Sequence, residues 1–112
     1  MVQEAVAGLE DLSEAASAAC ALLKSLANPD RLLLLCELAR RESNVGQLEQ
    51  ALGIPQPTLS QQLAVLREAQ LVDTRREGKH IYYRIVSVQA LAMLNVLQQQ
   101  FCRAAGAARD AR

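Results

Sequence analysis

The sequence predicts a single, mainly α-helical domain with one small β-hairpin, and three observations carry that prediction. Apolar residues recur at intervals of three and four along most of the chain, which is typical of amphipathic helices. The interval changes to two at residues 71–85, where β-branched and aromatic residues are frequent. A length of 112 residues suits one domain with a modest core. Residues 1–8 and 104–112 lack these patterns, and we expect them to be flexible.

Two helices are predicted in the first third of the chain. The first, residues 9–27, is rich in Ala, and small side chains allow another helix to approach closely. Asn28 and Pro29 predict a new helix start, because Asn is a favoured N-cap and Pro is tolerated at the first helical position. We expect this second helix to run to about Arg40 and to be central. Its apolar positions are Leu32, Leu33, Leu34, Leu35, Leu38 and Ala39, with Cys36 among them.

Residues 45–66 have the order that a helix-turn-helix requires. An apolar helical face ends at Gly53, which is expected to break the helix. Pro55 and Pro57 then lie at or near the start of another helix, where a missing N–H costs little. The inward positions expected of the two helices are Val45, Leu48, Leu52, Ile54, Leu59, Leu63 and Leu66.

The opposite face of the second of these helices carries no charge. Its residues are Gln56, Thr58, Ser60, Gln61 and Gln62. Gln, Ser and Thr can form hydrogen bonds with base edges in the major groove of DNA. The alternative is a solvated helical hairpin of another all-α domain, although Lys and Glu are more common on such a surface. The turn and the polar face favour DNA recognition.

A hairpin, here called the wing, is predicted at residues 71–85 around Glu77-Gly78-Lys79. The chain has no net charge, so local basic residues matter for nucleic-acid binding. Between Thr74 and Arg84 there are four basic residues and one acidic residue. A basic ribbon beside a recognition helix can reach phosphates or the minor groove. The alternative is an exposed hairpin whose charges only prevent edge pairing.

A last helix is predicted after Ser87, which can act as its N-cap. The first and last helices both carry apolar faces in a chain with little core of its own. We therefore predict a symmetric dimer formed through residues 9–26 and 88–102. The apolar repeat of the last helix consists of Leu91, Leu94, Leu97 and Phe101.

The compartment expected from the sequence is the cytoplasm, because neither a signal peptide nor a membrane-spanning helix is recognisable. Cys20, Cys36 and Cys102 are an odd, widely spaced set, unlike a secreted disulfide framework, and should remain thiols. A thiol oxidoreductase is the alternative from a different class. No Cys-x-x-Cys motif or recognisable nucleophile–base pair supports it, and we do not expect an enzyme.

The order of elements and three motifs resemble the ArsR/SmtB family of winged-helix repressors. The motifs are Ala27-Asn28-Pro29 with Arg31, residues 58–63, and residues 78–83. The resemblance implies a homodimer joined by the first and last helices and bound to operator DNA, which should be an inverted repeat. The DNA-contacting residues implied by position are Gln56, Thr58, Ser60 and Gln61 on the recognition helix, with Arg75, Arg76, Lys79 and His80 on the wing.

The chain departs from the metal-sensing members of that family. A Cys-x-Cys site would need a thiol two residues from Cys36, where Leu34 and Leu38 stand. Residues 87–101 contain no His, Asp or Glu, so a zinc site cannot be built from the last helix alone. The only histidine, His80, lies on the wing. We therefore predict no metal site and no cofactor.

Cys36 and Cys102 without a metal-ligand cluster are similar to the sulfide- and persulfide-responsive branch of the family. That similarity implies a repressor that loses operator binding when a persulfide or polysulfide inducer leads to a bridge between the two thiols. Cys20 has no counterpart that we can place in this branch. Other interpretations remain open: buried cysteines that only fill space, a metal- or metalloid-responsive regulator, a regulator of general thiol oxidation, or an architectural DNA binder without a ligand.

Overall fold

The computed structural model describes residues 9–102, and within them the predicted winged helix-turn-helix is confirmed. Five α-helices surround a three-stranded antiparallel sheet of order β1-β3-β2. The predicted flexible ends, residues 1–8 and 104–112, lie outside the described residues. The helices are α1 (Leu9–Leu26), α2 (Pro29–Arg40), α3 (Val45–Leu52), α4 (Gln56–Glu68) and α5 (Val88–Leu97), and the strands are β1 (Ser43–Asn44), β2 (Val72–Glu77) and β3 (His80–Ile85).

Helix α2 begins as predicted and lies at the centre of the molecule. The side-chain oxygen of Asn28 accepts a hydrogen bond of 3.0 Å from the backbone N–H of Arg31, and Pro29 occupies the first helical position. Of the apolar positions expected in this helix, Leu33 and Ala39 are exposed. Four successive leucines span a whole helical turn, so one of them must face away from the core. Leu34, Leu35 and Leu38 form the buried side.

The α3-turn-α4 unit is held by local hydrogen bonds at its start and by a glycine at its turn. Asn44 and Gln47 form a reciprocal capping box, with N···O distances of 2.8 and 2.9 Å. Gly53 ends α3 with φ of 70°, a left-handed conformation that costs glycine little. Ile54 is buried, and α4 starts after Pro55. The predicted inward positions of α4, Leu59, Leu63 and Leu66, are fully buried.

The wing consists of β2 and β3, paired from Val72 with Ile85 to Glu77 with His80. Its two-residue loop contains Gly78 with φ of 62°, and glycine adopts such an angle readily. Between α2 and α3 lies the short strand β1, which pairs with β3. Two residues are too few to show an alternating pattern, so the sequence could not reveal this strand.

The outer helices contribute to the core but also leave large apolar side chains exposed. Leu26 of α1 and Leu94 of α5 are buried. The predicted uninterrupted last helix is corrected, because after Leu97 the chain forms a π-helical turn, Gln98–Cys102. No helix in residues 9–102 has the length and apolar character needed to cross a membrane. The exposed apolar residues of the outer elements are Leu12, Leu23, Val88, Leu91, Val96 and Phe101.

Candidate nucleic-acid interface

Helix α4 presents most of the predicted base-reading residues to solvent. Gln56, Ser60 and Gln61 are exposed, and Thr58 is half-buried. Gln62 was also predicted on this outward face, but it is half-buried. Its Oε1 accepts a hydrogen bond of 2.9 Å from Arg31. The free polar surface of α4 is therefore concentrated in its first two turns.

The amide of Gln56 is oriented by a carboxylate from α3. Its Nε2 donates to Oε1 of Glu49 over 2.9 Å. A carboxylate can only accept hydrogen bonds, so the amide nitrogen must face Glu49 and the amide oxygen faces away. Gln56 is thereby set to offer an acceptor to a ligand on the outer side of α4. The sequence could not reveal this contact, because Glu49 and Gln56 lie on different helices and periodicity does not show which side chains of two helices meet.

The basic residues of the wing do not share one face. Arg75 lies opposite Tyr82 in the strand pairing, and Arg76 lies opposite Ile81. Successive residues of a strand point to opposite sides of the sheet, so the two arginines project in opposite directions. Lys79 and His80 are exposed at the tip of the wing.

Arg75 is engaged within the protein. Its Nη1 donates to Oε2 of Glu77 over 2.9 Å, its Nε is paired with Glu42, and its guanidinium lies 4.8 Å from the ring centroid of Tyr82. The hydrogen bonds that Arg75 donates to Glu77 and Glu42 raise the pKa of Arg75 above its usual value. Two carboxylates thus offset this positive charge, and Glu42 ties the wing to the segment that precedes α3. Glu42 and Arg75 are 33 positions apart, so sequence reasoning could not find this pair.

Helix α4 and the wing lie side by side. An open groove between them is lined by Tyr83 of β3 and by five residues of α4, which are Ser60, Leu63, Ala64, Arg67 and Glu68. The polar side chains of α4 and the basic residues of the wing therefore belong to neighbouring elements. Such an arrangement can place a helix against base edges while a ribbon contacts the phosphate backbone.

The three cysteines are free thiols in different settings. Cys36 is half-buried on α2 and packs against the core. Cys102 is exposed at the end of the π-helical turn, in a recess that it shares with Asn95, Gln98 and Gln99. Cys20 is exposed on α1. Cys36 lies on α2, which packs against α5, and Cys102 ends the π-helical turn that follows α5.

The described part of the chain contains no recognisable cluster of metal-binding side chains. Within residues 9–102, no group of three or more His, Cys, Asp or Glu side chains is placed to hold a metal ion.

Comparisons with known proteins agree with this arrangement. Residues 28–74 match the sequence model of a family described as bacterial regulatory protein, arsR family. The chain is 50% identical to the biofilm growth-associated repressor of Xylella fastidiosa over 93 residues, which cover 83% of this chain and 82% of that protein.

Two solved structures are similar in fold and in sequence. Reduced HlyU from Vibrio cholerae has a TM-score of 0.79 and 38% identity over 84% of this chain and 99% of that one. A homodimeric winged helix-turn-helix DNA-binding domain from Mycobacterium bovis, described as a possible ArsR-family regulator, has a TM-score of 0.69 and 34% identity over 83% of this chain and 87% of that one.

Proposed function

Because the chain belongs to the arsR family of bacterial regulatory proteins, we propose that it is a homodimeric repressor that releases operator DNA when reactive sulfur species join Cys36 to Cys102. The observation that carries the DNA-binding part is the exposed, uncharged polar surface of α4 beside a basic wing. The related chain from Xylella fastidiosa is itself named a repressor.

The proposed dimer forms through α1 and α5. Support comes from the large apolar side chains that these helices leave exposed, and from the relative that is described as homodimeric. A two-fold axis would place two copies of α4 about one DNA turn apart, roughly 34 Å, so the operator would be an inverted repeat. Sedimentation at micromolar concentration should give a dimer. A folded monomer that binds such a repeat tightly would contradict this proposal.

The recognition helix and the wing have different roles in DNA binding. Gln56, Thr58, Ser60 and Gln61 read bases, so Gln61→Ala should change sequence preference. Arg76, Lys79 and His80 contact the backbone, and Arg75 joins them while it also holds the wing in place.

Binding to operator variants at two salt concentrations separates these roles. Arg76→Ala and Lys79→Ala should each weaken binding to all sequences and lower the salt slope by about one. A change in base preference caused by the wing variants, with none caused by Gln61→Ala, would contradict the assignment.

The proposed switch is a sulfur bridge between α2 and the end of the last helical element. An ordinary disulfide requires Cα atoms within about 7 Å, and an added sulfur relaxes that requirement. An organic polysulfide R–S–S–S–R can supply the sulfur and act as the oxidant. One cysteine thiolate attacks its middle sulfur and expels RS⁻, and the second thiolate then attacks the same sulfur and expels the other RS⁻. The product is a trisulfide between Cys36 and Cys102, and the polysulfide is reduced to two thiolates.

The bridge would release DNA by changing the position of α2 relative to α1 and α5, the helices of the proposed dimer interface. Helix α2 packs against both α3 and α4, so a displaced α2 would move the recognition helices out of register with successive grooves. A shift of about 3 kcal/mol against the DNA-competent state would weaken binding on the order of a hundredfold.

Cysteine variants test the switch directly. Cys36→Ser and Cys102→Ser should bind the operator but ignore polysulfide, whereas Cys20→Ser is the matched control and should respond like the wild type. Mass spectrometry of the treated wild type should find Cys36 linked to Cys102 with extra sulfur mass. Release of the operator by the double Ser variant on polysulfide treatment would contradict the switch.

A further inference from the structure

One side chain joins the first helix to the recognition helix. Arg31 lies in the first turn of α2, and each of its three guanidinium nitrogens donates to a different acceptor. Nε donates to the backbone oxygen of Ser25 over 2.6 Å, and Nη2 donates to that of Lys24 over 3.0 Å, both in the last turn of α1. Nη1 donates over 2.9 Å to the side chain of Gln62 on α4.

The chemistry of this contact requires arginine. The last carbonyl groups of a helix have no partners within the helix, and a cation is favoured there. The planar guanidinium has five N–H donors in a fixed fork, so it can serve the end of α1 and the side of α4 at once. Lysine has a single nitrogen at the end of a flexible stem and cannot hold both directions. Because the guanidinium only donates, Gln62 must turn its amide oxygen toward Arg31.

We propose that Arg31 is a positioning residue that fixes the angle between α1 and α4 and thereby sets the spacing of operator half-sites that the protein accepts. This inference rests on the proposed function, in which α1 belongs to the dimer interface and α4 reads DNA. Helix α1 is joined to α2 by two residues, Ala27-Asn28, and packs against α2. Arg31 adds a direct link between α1 and α4, because it donates to acceptors on both helices simultaneously.

Spacing selectivity is the readout that distinguishes positioning from general stability. The wild type is compared on an operator with its preferred half-site spacing and on one with an additional base pair at the centre. The ratio of the two affinities is the spacing penalty. Arg31→Lys and Gln62→Ala should each lower this penalty roughly tenfold, the effect of losing one hydrogen bond to a charged group. A loss of stability alone would weaken binding to both operators equally.

Two further variants act as controls. Gln62→Glu keeps an acceptor for Arg31, so its spacing penalty should equal that of the wild type even if its added charge weakens binding to both operators. Val65→Ala shortens a partly exposed side chain of α4 that has no proposed DNA contact, and it should also keep the spacing penalty. Gln62→Ala tests the contact independently of the folding of the Arg31 variant.

The outcomes separate this inference from the proposed function. If Gln62→Ala keeps the full spacing penalty of the wild type, the inference is wrong, whereas the proposed dimeric repressor is unaffected. If the wild type binds both operators with equal affinity, the inference is wrong, and so is the proposed dimer with two copies of α4 at a fixed distance. A penalty lost in Gln62→Ala and kept in Gln62→Glu is the result expected.

Discussion

The central unit, from α2 to β3, and the outer elements, α1 and the end of α5, bury their apolar residues in different ways. Leu34, Leu48 and Leu63 of the central unit have no exposed surface. Leu12 of α1 is 46% exposed, and Phe101 after α5 is 69% exposed. The core of the central unit, to which Leu26 of α1 and Leu94 of α5 also contribute, is thus complete within one chain. The outer elements, in contrast, leave large apolar side chains exposed. This difference implies that the stability of the reading surface and the assembly of the protein can be changed separately.

The largest expected effect is on the core of the central unit. Leu63→Ala should lower the free energy of unfolding by about 3 kcal/mol, because it removes buried methyl groups and leaves a cavity. Val65→Ala is the matched control, since Val65 lies on the same helix but is 41% exposed, and its cost should be below about 1 kcal/mol. Denaturant unfolding measures both. Equal losses from the two variants would mean that the core does not close as described.

The next effect should fall on assembly rather than on folding. Leu12→Glu should weaken dimer formation by roughly 2 kcal/mol, about thirtyfold, because the proposed interface would bury an unpaired carboxylate. Ile81→Glu on the wing is the control, because Ile81 is 43% exposed and lies far from α1 in sequence. Sedimentation at several concentrations compares the two variants. A dimer unaffected by Leu12→Glu would place the interface elsewhere.

A smaller effect is expected from the cap of α3. Asn44→Ala removes the side-chain oxygen that accepts from the backbone N–H of Gln47, and it should lower the free energy of unfolding by about 1 kcal/mol. Asn44→Asp keeps the acceptor and should lose less. Asn95→Ala on the exposed side of α5 changes the same residue type outside a cap, and its effect should be within about 0.5 kcal/mol. Similar losses at Asn44 and Asn95 would argue against the capping box.

The smallest expected effect is a gain. Gln70 follows α4 with φ of 63°, and its backbone N–H donates to the carbonyl oxygen of Arg67 in the turn that ends the helix. Glycine adopts this conformation readily, so Gln70→Gly should raise the free energy of unfolding by about 0.5 kcal/mol. Ala92→Gly inside α5 should have the opposite sign, a loss of about 1 kcal/mol. Thermal or denaturant unfolding of the two variants compares the signs.

The two regions also differ in what their sequences reveal. The central unit was predictable because helical periodicity and turn chemistry act over a few residues, as the leucines of α4 and the turn at Gly53 illustrate. The contacts of Arg31 with Gln62 and of Arg75 with Glu42 span 31 and 33 residues. Periodicity predicts which face of an element is buried, but not which distant polar side chain meets it.

The remaining features that the sequence missed have local causes. Strand β1 is too short for an alternating pattern, and its pairing depends on the position of β3. The order of apolar and polar residues at Gln98–Cys102 fits a continuing α-helix as well as the π-helical turn that is observed. Its wider hydrogen-bonding pattern therefore leaves no mark in the spacing. The setting of Cys102 could not be predicted for this reason.

If the exposed apolar surface of the outer helices forms the proposed dimer interface, operator binding depends on the cellular concentration of the protein. Since the hydrophobic core closes within one chain, a lone subunit can keep its reading surface folded in the absence of a partner. When most subunits are single, the concentration of dimers rises with the square of the subunit concentration. Operator occupancy would then respond steeply to gene dosage, to dilution at cell growth and to selective degradation. A cell could lift repression by lowering copy number, without any chemical change at a thiol.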